Sequence, residues 1–304
     1  MKLLEKHHYE SHKTDRKYYV DCKNENIPIE PKEIVKYTSY PDVSIIRAVT
    51  KDDTIKKRHI VVKISSFPVA LPSEFDIGSQ LYKLPGFIKY ICEFQCYDDT
   101  NNKMRKTRPN TFPVSINTTL CMADKTVAAN HKQVLIMPYI QEGSMEGYNW
   151  TPENLDLLTT VIKHVVLSLA NAYIKVGFIH NDLHWGNILL KKTKTTEILY
   201  DCISIGIPTN GYKVVIMDFE KAQLKSTQHD LFWSNLKLFL RFDRMSVDNQ
   251  FISWNNDKII TFVQRMMSMR ISPVNTIGEL VLLIDKSTFN VIRSTQIKYD
   301  PDQW

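Results

Sequence analysis

Glycine is scarce in this chain: nine residues of 304, and none before Gly78. Backbone amides close on a phosphate most easily where no side chain intervenes, so the segment ahead of Gly78 offers no glycine-rich phosphate loop. Cysteine is sparse as well. Cys22, Cys92, Cys96, Cys121 and Cys202 form an odd set without a CxxC pair, which argues against both a disulfide framework and a zinc knuckle. Long apolar runs are missing: "HVVLSLANAYI" and "LVLLI" fall short of the roughly 20 residues that cross a bilayer. The opening "MKLLEKHHYESHKTDRKYY" is charged almost from its first residue and lacks the apolar core of a signal peptide. The expectation is an intracellular chain, cytoplasmic or nuclear, without membrane insertion. His7, His8 and His12 have no further ligands near them at metal spacing, so no metal site is read there.

What is present describes an ordinary globular protein, with 43% hydrophobic and 24% charged residues. The net charge of +6 suits anionic partners, but it is scattered over short clusters such as Lys56-Lys57-Arg58 and Lys191, Lys192, Lys194. Solvated loops explain such clusters, and no nucleic-acid surface is indicated.

Periodicity divides the chain. Residues 1–36 are charged and weakly periodic and read as an N-terminal extension with a short helix. "SIIRAV" and "HIVVKIS" flank the polar "TKDDTIKKR", the pattern of a hairpin. "FIKYICEFQCY" and "QVLIMPYI" continue the strands, separated by a long polar stretch at about 98–131 that reads as an insertion. "PSEFDIGSQLYKL" is the one helix of this part, closed by Pro85-Gly86. From Thr151 the period changes. "TPENLDLLTTVIKHVVLSLANAYIKVG" has a Thr cap, Pro in the first turn and Gly at its end, and is apolar nearly all round. "HDLFWSNLKLFLRF" and "DKIITFVQRMMSMR" are further helices. The fold class is therefore α+β, with a β-rich lobe at 37–140 and a helical lobe at 141–304.

One stretch concentrates polar groups between apolar ones: "GFIHNDLHWGNILLKKT". Phosphoryl transfer needs a carboxylate to orient the acceptor hydroxyl and take its proton, and a nearby oxygen ligand for the metal that neutralises phosphate charge. Asp182 and Asn187 suit those jobs. The apolar strand in "YKVVIMDFE" delivers a second carboxylate, Asp218, and Mg2+ requires few protein ligands beside phosphate oxygens.

His180-Asn181-Asp182-Leu183-His184-Trp185-Gly186-Asn187 resembles the catalytic loop of the protein-kinase superfamily, and Asp218-Phe219 resembles its Asp-Phe-Gly motif. The resemblance implies a bilobal fold and a transferase using ATP and Mg2+. It makes Asp182 the catalytic base, and Asn187 and Asp218 the metal ligands. Lys63 in "HIVVKI" matches the strand lysine that contacts phosphates, with Glu74 as its partner and Asp76 as the alternative. Met137 stands at the gatekeeper, and Pro138, Tyr139 and Ile140 at the hinge that binds adenine through its backbone. His184 replaces the usual lysine of the loop and could reach the γ-phosphate, whereas Trp185 reads as packing. Within the superfamily, residues 155–230 resemble haspin, an atypical Ser/Thr kinase, through "LSLANAYIKVGFIHNDLHWGNILLKKT" and the long gap from Asn187 to Asp218.

Four departures qualify the likeness. Asn181 replaces the Arg that pairs with a phosphorylated activation loop, which implies no control of that kind. Glu220 replaces the glycine, a variant seen in choline kinases and aminoglycoside phosphotransferases. Asp230, which looks like the anchoring Asp of the next large helix, follows so soon that only "EKAQLKSTQH" remains as activation segment, with no Ala-Pro-Glu motif. "YTSYPDVSII" lacks glycine where the phosphate loop should lie. The expected acceptor is a protein Ser/Thr hydroxyl; a silent scaffold and a small-molecule kinase stay open. Low glycine with many Lys, Asn, Ile and Tyr suggests an AT-rich genome, and the pared-down segment resembles kinases of large DNA viruses.

Overall fold

The computed structural model describes residues 18–22, 25–37, 43–50, 59–65, 74–97, 131–201, 205–240, 245–247, 250–269, 273–287 and 289–293. The chain divides into two compact units, one with residues up to Ser79 plus Ile88–Tyr139, the other with Gln80–Phe87 and everything from Ile140.

The first unit is built on a six-stranded antiparallel sheet: β1 (Tyr18–Cys22), β2 (Glu25–Tyr37), β3 (Val43–Thr50), β4 (His59–Ser65), β5 (Cys92–Tyr97) and β6 (His131–Pro138). Their order is β1-β2-β3-β4-β6-β5. The expected hairpin is β3 and β4, in a register that sets Ile45 opposite Lys63, and β4 pairs on its other side with β6, Lys63 opposite Leu135. Strand β4 is thus central, and its β-branched residues Ile60 and Val62 are buried. One expectation is corrected here. Tyr18–Cys22 and Glu25–Tyr37, assigned largely to an extension with a short helix, form β1 and β2 instead. Frequent charges and two prolines in β2 hide the period of two, and the β2–β3 register shifts between Pro31 and Glu33, where a bulge accommodates the break. The expected insertion at 98–131 and the glycine-free turn between Tyr37 and Val43 lie, apart from strand residue 131, outside the described residues.

Helix α1 (Glu74–Leu81) runs from the first unit into the second. The second unit is organised by α2 (Leu155–Val176), α3 (His229–Phe239), α4 (Asn256–Met269) and α5 (Pro273–Asp285). Thr151 opens a 3-10 turn over Pro152–Asn154 rather than α2 itself, and the Asn154 side-chain oxygen accepts from the Thr151 amide at 2.9 Å. Including that turn, α2 is long and apolar enough to cross a membrane, which the run-by-run reading of the sequence missed, but 78% of its apolar window is buried inside the protein. Small sheets complete the unit: β7 (Ile188–Lys192) with β10 (Tyr212–Ile216), β8 (Glu197–Tyr200) with β9 (Ile205–Pro208), and β11 (Met245–Val247), β12 (Gln250–Trp254) and β13 (Phe289–Arg293) together.

Two features of α2 carry predictions. His164 is fully buried; its Nε2 faces the Pro208 carbonyl at 2.9 Å and its Nδ1 faces the Tyr200 hydroxyl at 2.7 Å. A carbonyl only accepts, so Nε2 carries the proton and Nδ1 accepts from Tyr200: the neutral ring is satisfied. Burial pushes the His164 pKa below its usual 6.5. An unfolded chain therefore takes up a proton below about pH 6.5 that the native ring refuses. Stability should hold above that pH and decline as pH falls toward the native value, by up to about 1.4 kcal/mol per unit. Urea midpoints at pH 7.5 and 5.5 measure this, and His164→Leu should flatten the difference while lowering stability at both.

Gly177 ends α2 with φ of 62°, its amide donating to the Tyr173 carbonyl at 2.8 Å. A Cβ there would lie 2.6 Å from the backbone nitrogen of Ser226. Gly177→Ala combines a left-handed alanine with a backbone collision, so a loss of more than about 1 kcal/mol in urea unfolding is expected.

Candidate active site

Strand register assembles the second unit's polar residues. Because β7 and β10 are antiparallel with Ile188 opposite Ile216, the residue before β7 and the residue after β10 are neighbours. The Met217 amide donates to the Asn187 carbonyl at 3.0 Å. Asn187 thus sits beside the segment that begins with Asp218, although 30 intervening residues separate them in sequence. Asn187 is buried, and its Nδ2 donates to the backbone carbonyl of Asp182 at 3.0 Å. That bond closes the loop and orients Oδ1, the one oxygen an amide offers a cation. His180 fastens the other side: its Nε2 donates to the Met217 carbonyl at 2.9 Å. Burial lowers the His180 pKa, against the opposing pull of that bond and of Asp218 and Asp182.

Asp218 has φ of 68°, a left-handed conformation unusual for a residue with a side chain. Neighbours impose it. Phe219 is fully buried, edge-on to Phe87, Phe178 and His180 at 6.1, 5.7 and 5.9 Å. Met217 on one side is tied to the Asn187 carbonyl, Phe219 on the other is held in the core, and Asp218 between them is half-buried. Asn187 and the Asp218 segment are backbone neighbours, and a carboxylate with an amide oxygen is the donor chemistry that suits Mg2+ completed by phosphate oxygens and water. Among the described residues no group of three or more His, Cys, Asp and Glu could hold a metal unaided. The two oxygen donors fit a metal whose remaining ligands are phosphate oxygens and water.

Asp182 is 39% exposed, and one of its oxygens lies 3.0 Å from Lys221 Nζ. Trp185 is buried and edge-on to Trp150 at 6.2 Å, which bears out its reading as packing. His184 is exposed, and its Nδ1 accepts from the Gly186 amide at 3.1 Å, capping the 3-10 turn Trp185–Asn187.

The anchor of this loop to α3 differs from the expected one. Asp230 lies exposed in the first turn of α3. Asn235, further along the helix, does the anchoring: its Oδ1 accepts from the Asn181 amide at 2.7 Å. Asn181 has φ of 62°, and its Nδ2 donates to the Lys221 carbonyl at 3.0 Å. The helix has placed its polar anchor more than a turn later than the sequence comparison suggested. Sequence reasoning passed over Asn235 because one Asn in an amphipathic helix looks like part of the solvent face.

In the first unit, Lys63 Nζ and Glu74 Oε2 are 2.7 Å apart, with side chains only 10% and 9% exposed. The Tyr90 hydroxyl donates to the other Glu74 oxygen. Asp76, the alternative partner, is exposed. Met137 is buried in β6 opposite Val61. Pro138 ends β6, and the Tyr139 amide donates to the His59 carbonyl at 3.1 Å, with the Arg47 guanidinium 4.4 Å above its ring. The boundary between units falls between Tyr139 and Ile140, within the stretch read as a hinge.

Known proteins resemble this chain over parts of its length. A family model described as "Haspin like kinase domain" matches residues 12–252. Mouse serine/threonine-protein kinase haspin is 40% identical over 68 residues, covering 22% of this chain and 9% of the mouse protein. The Arabidopsis thaliana haspin homolog is 28% identical over 103 residues, 33% of this chain and 17% of that one. "Uncharacterized protein 098R" of Invertebrate iridescent virus 6 is 24% identical over 253 residues, covering 62% of this chain and 40% of the viral protein. The chain thus spans well under two thirds of each of these relatives, but the family match extends over most of its own length and takes in both the Lys63–Glu74 pair and the Asp182–Asp218 cluster. The chain belongs to the haspin-like kinase domain family.

Proposed function

We propose that this chain is a protein serine/threonine kinase of bilobal design that transfers the γ-phosphoryl group of ATP to a hydroxyl of a protein, with Mg2+ as cofactor. The observation that carries the proposal is the register that sets Asn187 beside the Asp218 segment while the Asn187 side chain closes the Asp182 loop. Asp182 orients the acceptor hydroxyl and takes its proton as the new oxygen–phosphorus bond forms. The bond from the γ-phosphorus to the bridging oxygen breaks, and its electron pair leaves with ADP. Asn187 and Asp218 would hold Mg2+, which when bound neutralises phosphate charge. Lys63, steadied by Glu74, holds phosphate oxygens, and the hinge at Pro138, Tyr139 and Ile140 offers adenine backbone groups other than the Tyr139 amide, which donates to the His59 carbonyl.

A protein acceptor is favoured because the chain from Ile140 to His180 contains only one 3-10 turn and α2. Small-molecule kinases of this superfamily usually carry a large helical insertion there. The short segment between Phe219 and α3 supports the competing small-molecule reading, since it leaves little platform for a peptide.

Incubation with radiolabelled Mg-ATP and a mixed protein substrate tests the proposal, with phosphoamino-acid analysis of the product. Labelled Ser or Thr is expected. Label entering only choline, aminoglycoside or sugar pools would overturn the protein acceptor. Mg-ATP at 100 times its Kd should also stabilise the protein by about 2.7 kcal/mol, read as a rise in Tm. No rise at millimolar Mg-ATP would overturn the kinase reading and favour a kinase-fold scaffold that binds a partner protein.

A further inference from the structure

We propose that Lys221 supplies the cation that this catalytic loop lacks at residue 184, placing its ammonium against the transferred phosphoryl group beside Asp182. The inference rests on the phosphotransferase reading and assigns a further catalytic residue to it.

The loop has a charge to make up. A lysine two residues after the catalytic Asp is usual, and here His184 stands in its place. The His184 ring is turned back on its own chain, Nδ1 accepting from the Gly186 amide at 3.1 Å. That nitrogen is taken up by the chain's own backbone. It caps the turn that presents Asn187.

Lys221 brings a positive charge to the same carboxylate from another segment. Its Nζ lies 3.0 Å from Asp182 Oδ2. Its backbone is held on both sides. Phe219, two residues earlier, is buried, and its carbonyl accepts from the Ala222 amide at 3.0 Å, forming a turn around Lys221. Gln223 and Ile179 exchange two backbone hydrogen bonds of 2.9 Å each. The Lys221 carbonyl accepts from Asn181 Nδ2 at 3.0 Å. Asn181 occupies the position of the usual arginine, and it serves here to hold the lysine-bearing turn against the loop.

A brake would use the same contact, with the lysine masking Asp182. The magnitude argues against it. Both side chains are more than a third exposed, 57% for Lys221 and 39% for Asp182. An exposed pair of this kind is screened by water and too weak to hold substrate off. An ammonium has three donors, so it can keep Asp182 and still donate to a phosphoryl oxygen. The hydroxyl proton passes to Asp182, the electron pair leaves with ADP, and the ammonium offsets the negative charge on the oxygens in flight.

The test uses the full chain, radiolabelled Mg-ATP and the mixed protein substrate, with kcat and KM for ATP measured separately. Lys221→Met should lower kcat about 100-fold, as removal of one transition-state donor does, with KM for ATP within about threefold and the Mg-ATP rise in Tm preserved. Lys221→Arg should recover at least about a tenth of the lost rate. Lys225→Met, which removes an exposed charge from the same segment, should stay within about twofold of wild type. An active wild type whose Lys221→Met variant keeps its kcat overturns the proposal, and a faster variant makes Lys221 a brake. Loss of the Mg-ATP stabilisation in Lys221→Met would move the residue to nucleotide binding and overturn it as well. A wild type that transfers no phosphate overturns the kinase reading and this role with it.

Discussion

Asp182→Asn should slow phosphoryl transfer by a factor of about 10²–10⁴, the range by which a positioned general base contributes. The substitution is nearly isosteric and leaves the bond from Asn187 Nδ2 in place, because that bond ends on the backbone carbonyl of residue 182. What it removes is an oxygen able to take the acceptor's proton; an amide cannot. The fold, the Asn187 geometry and the Mg-ATP rise in Tm should therefore survive while the rate falls. Initial rates and melting curves on the same preparation check both halves. A variant that transfers phosphate at the wild-type rate would remove Asp182 from the chemistry.

Lys63→Met should strike stability and activity together, and the two can be pulled apart. Lys63 and Glu74 are each about a tenth exposed and 2.7 Å apart. Deleting one partner of a buried pair leaves the other charge in a medium that solvates it poorly, at a cost of about 3–5 kcal/mol. Tm should drop by many degrees and transfer should be lost. In the double variant Lys63→Met, Glu74→Gln the buried charge is gone, and the amide oxygen can still accept from Tyr90. Most of the stability should return; the activity should not. If activity returns with stability, the pair is structural and Lys63 does not act on phosphate.

The parts of the site that were legible in the sequence are those whose spacing is set by covalent geometry. Asp182 and Asn187 lie in one loop of fixed length, and Asp218 ends an apolar strand, so a pattern along the chain reports them. Lys63 was legible through the match of "HIVVKI" to the strand lysine of the kinase pattern, in company with the loop motifs. Residues whose role depends on contacts between distant segments left no such mark. Asn235 meets Asn181 across 54 positions and Lys221 meets Asp182 across 39; each is an ordinary polar residue until the chain folds. The same holds for the fold. The β3–β4 hairpin showed itself by alternation, whereas β1 and β2, with charges and prolines at many positions, acquire strand geometry from the neighbours they pair with. The three short strands β11, β12 and β13 were missed because three to five residues are too few for a period to show.

The segment from Phe219 to Ser226 is sewn down along its length: to Ile179 through Gln223, to Val176 through Lys225 and to Gly177 through Ser226. A conformational switch requires two arrangements of a segment separated by only a few kcal/mol, so that a modification can exchange their populations. Here the alternative arrangement would forfeit four backbone hydrogen bonds at once, each with about 1 kcal/mol of net stabilisation, and no arginine precedes Asp182 to reward a phosphate with a new contact. On that count the backbone from Phe219 to Ser226 has one favoured setting, and the carboxylate of Asp182 faces a fixed surface rather than a moving one.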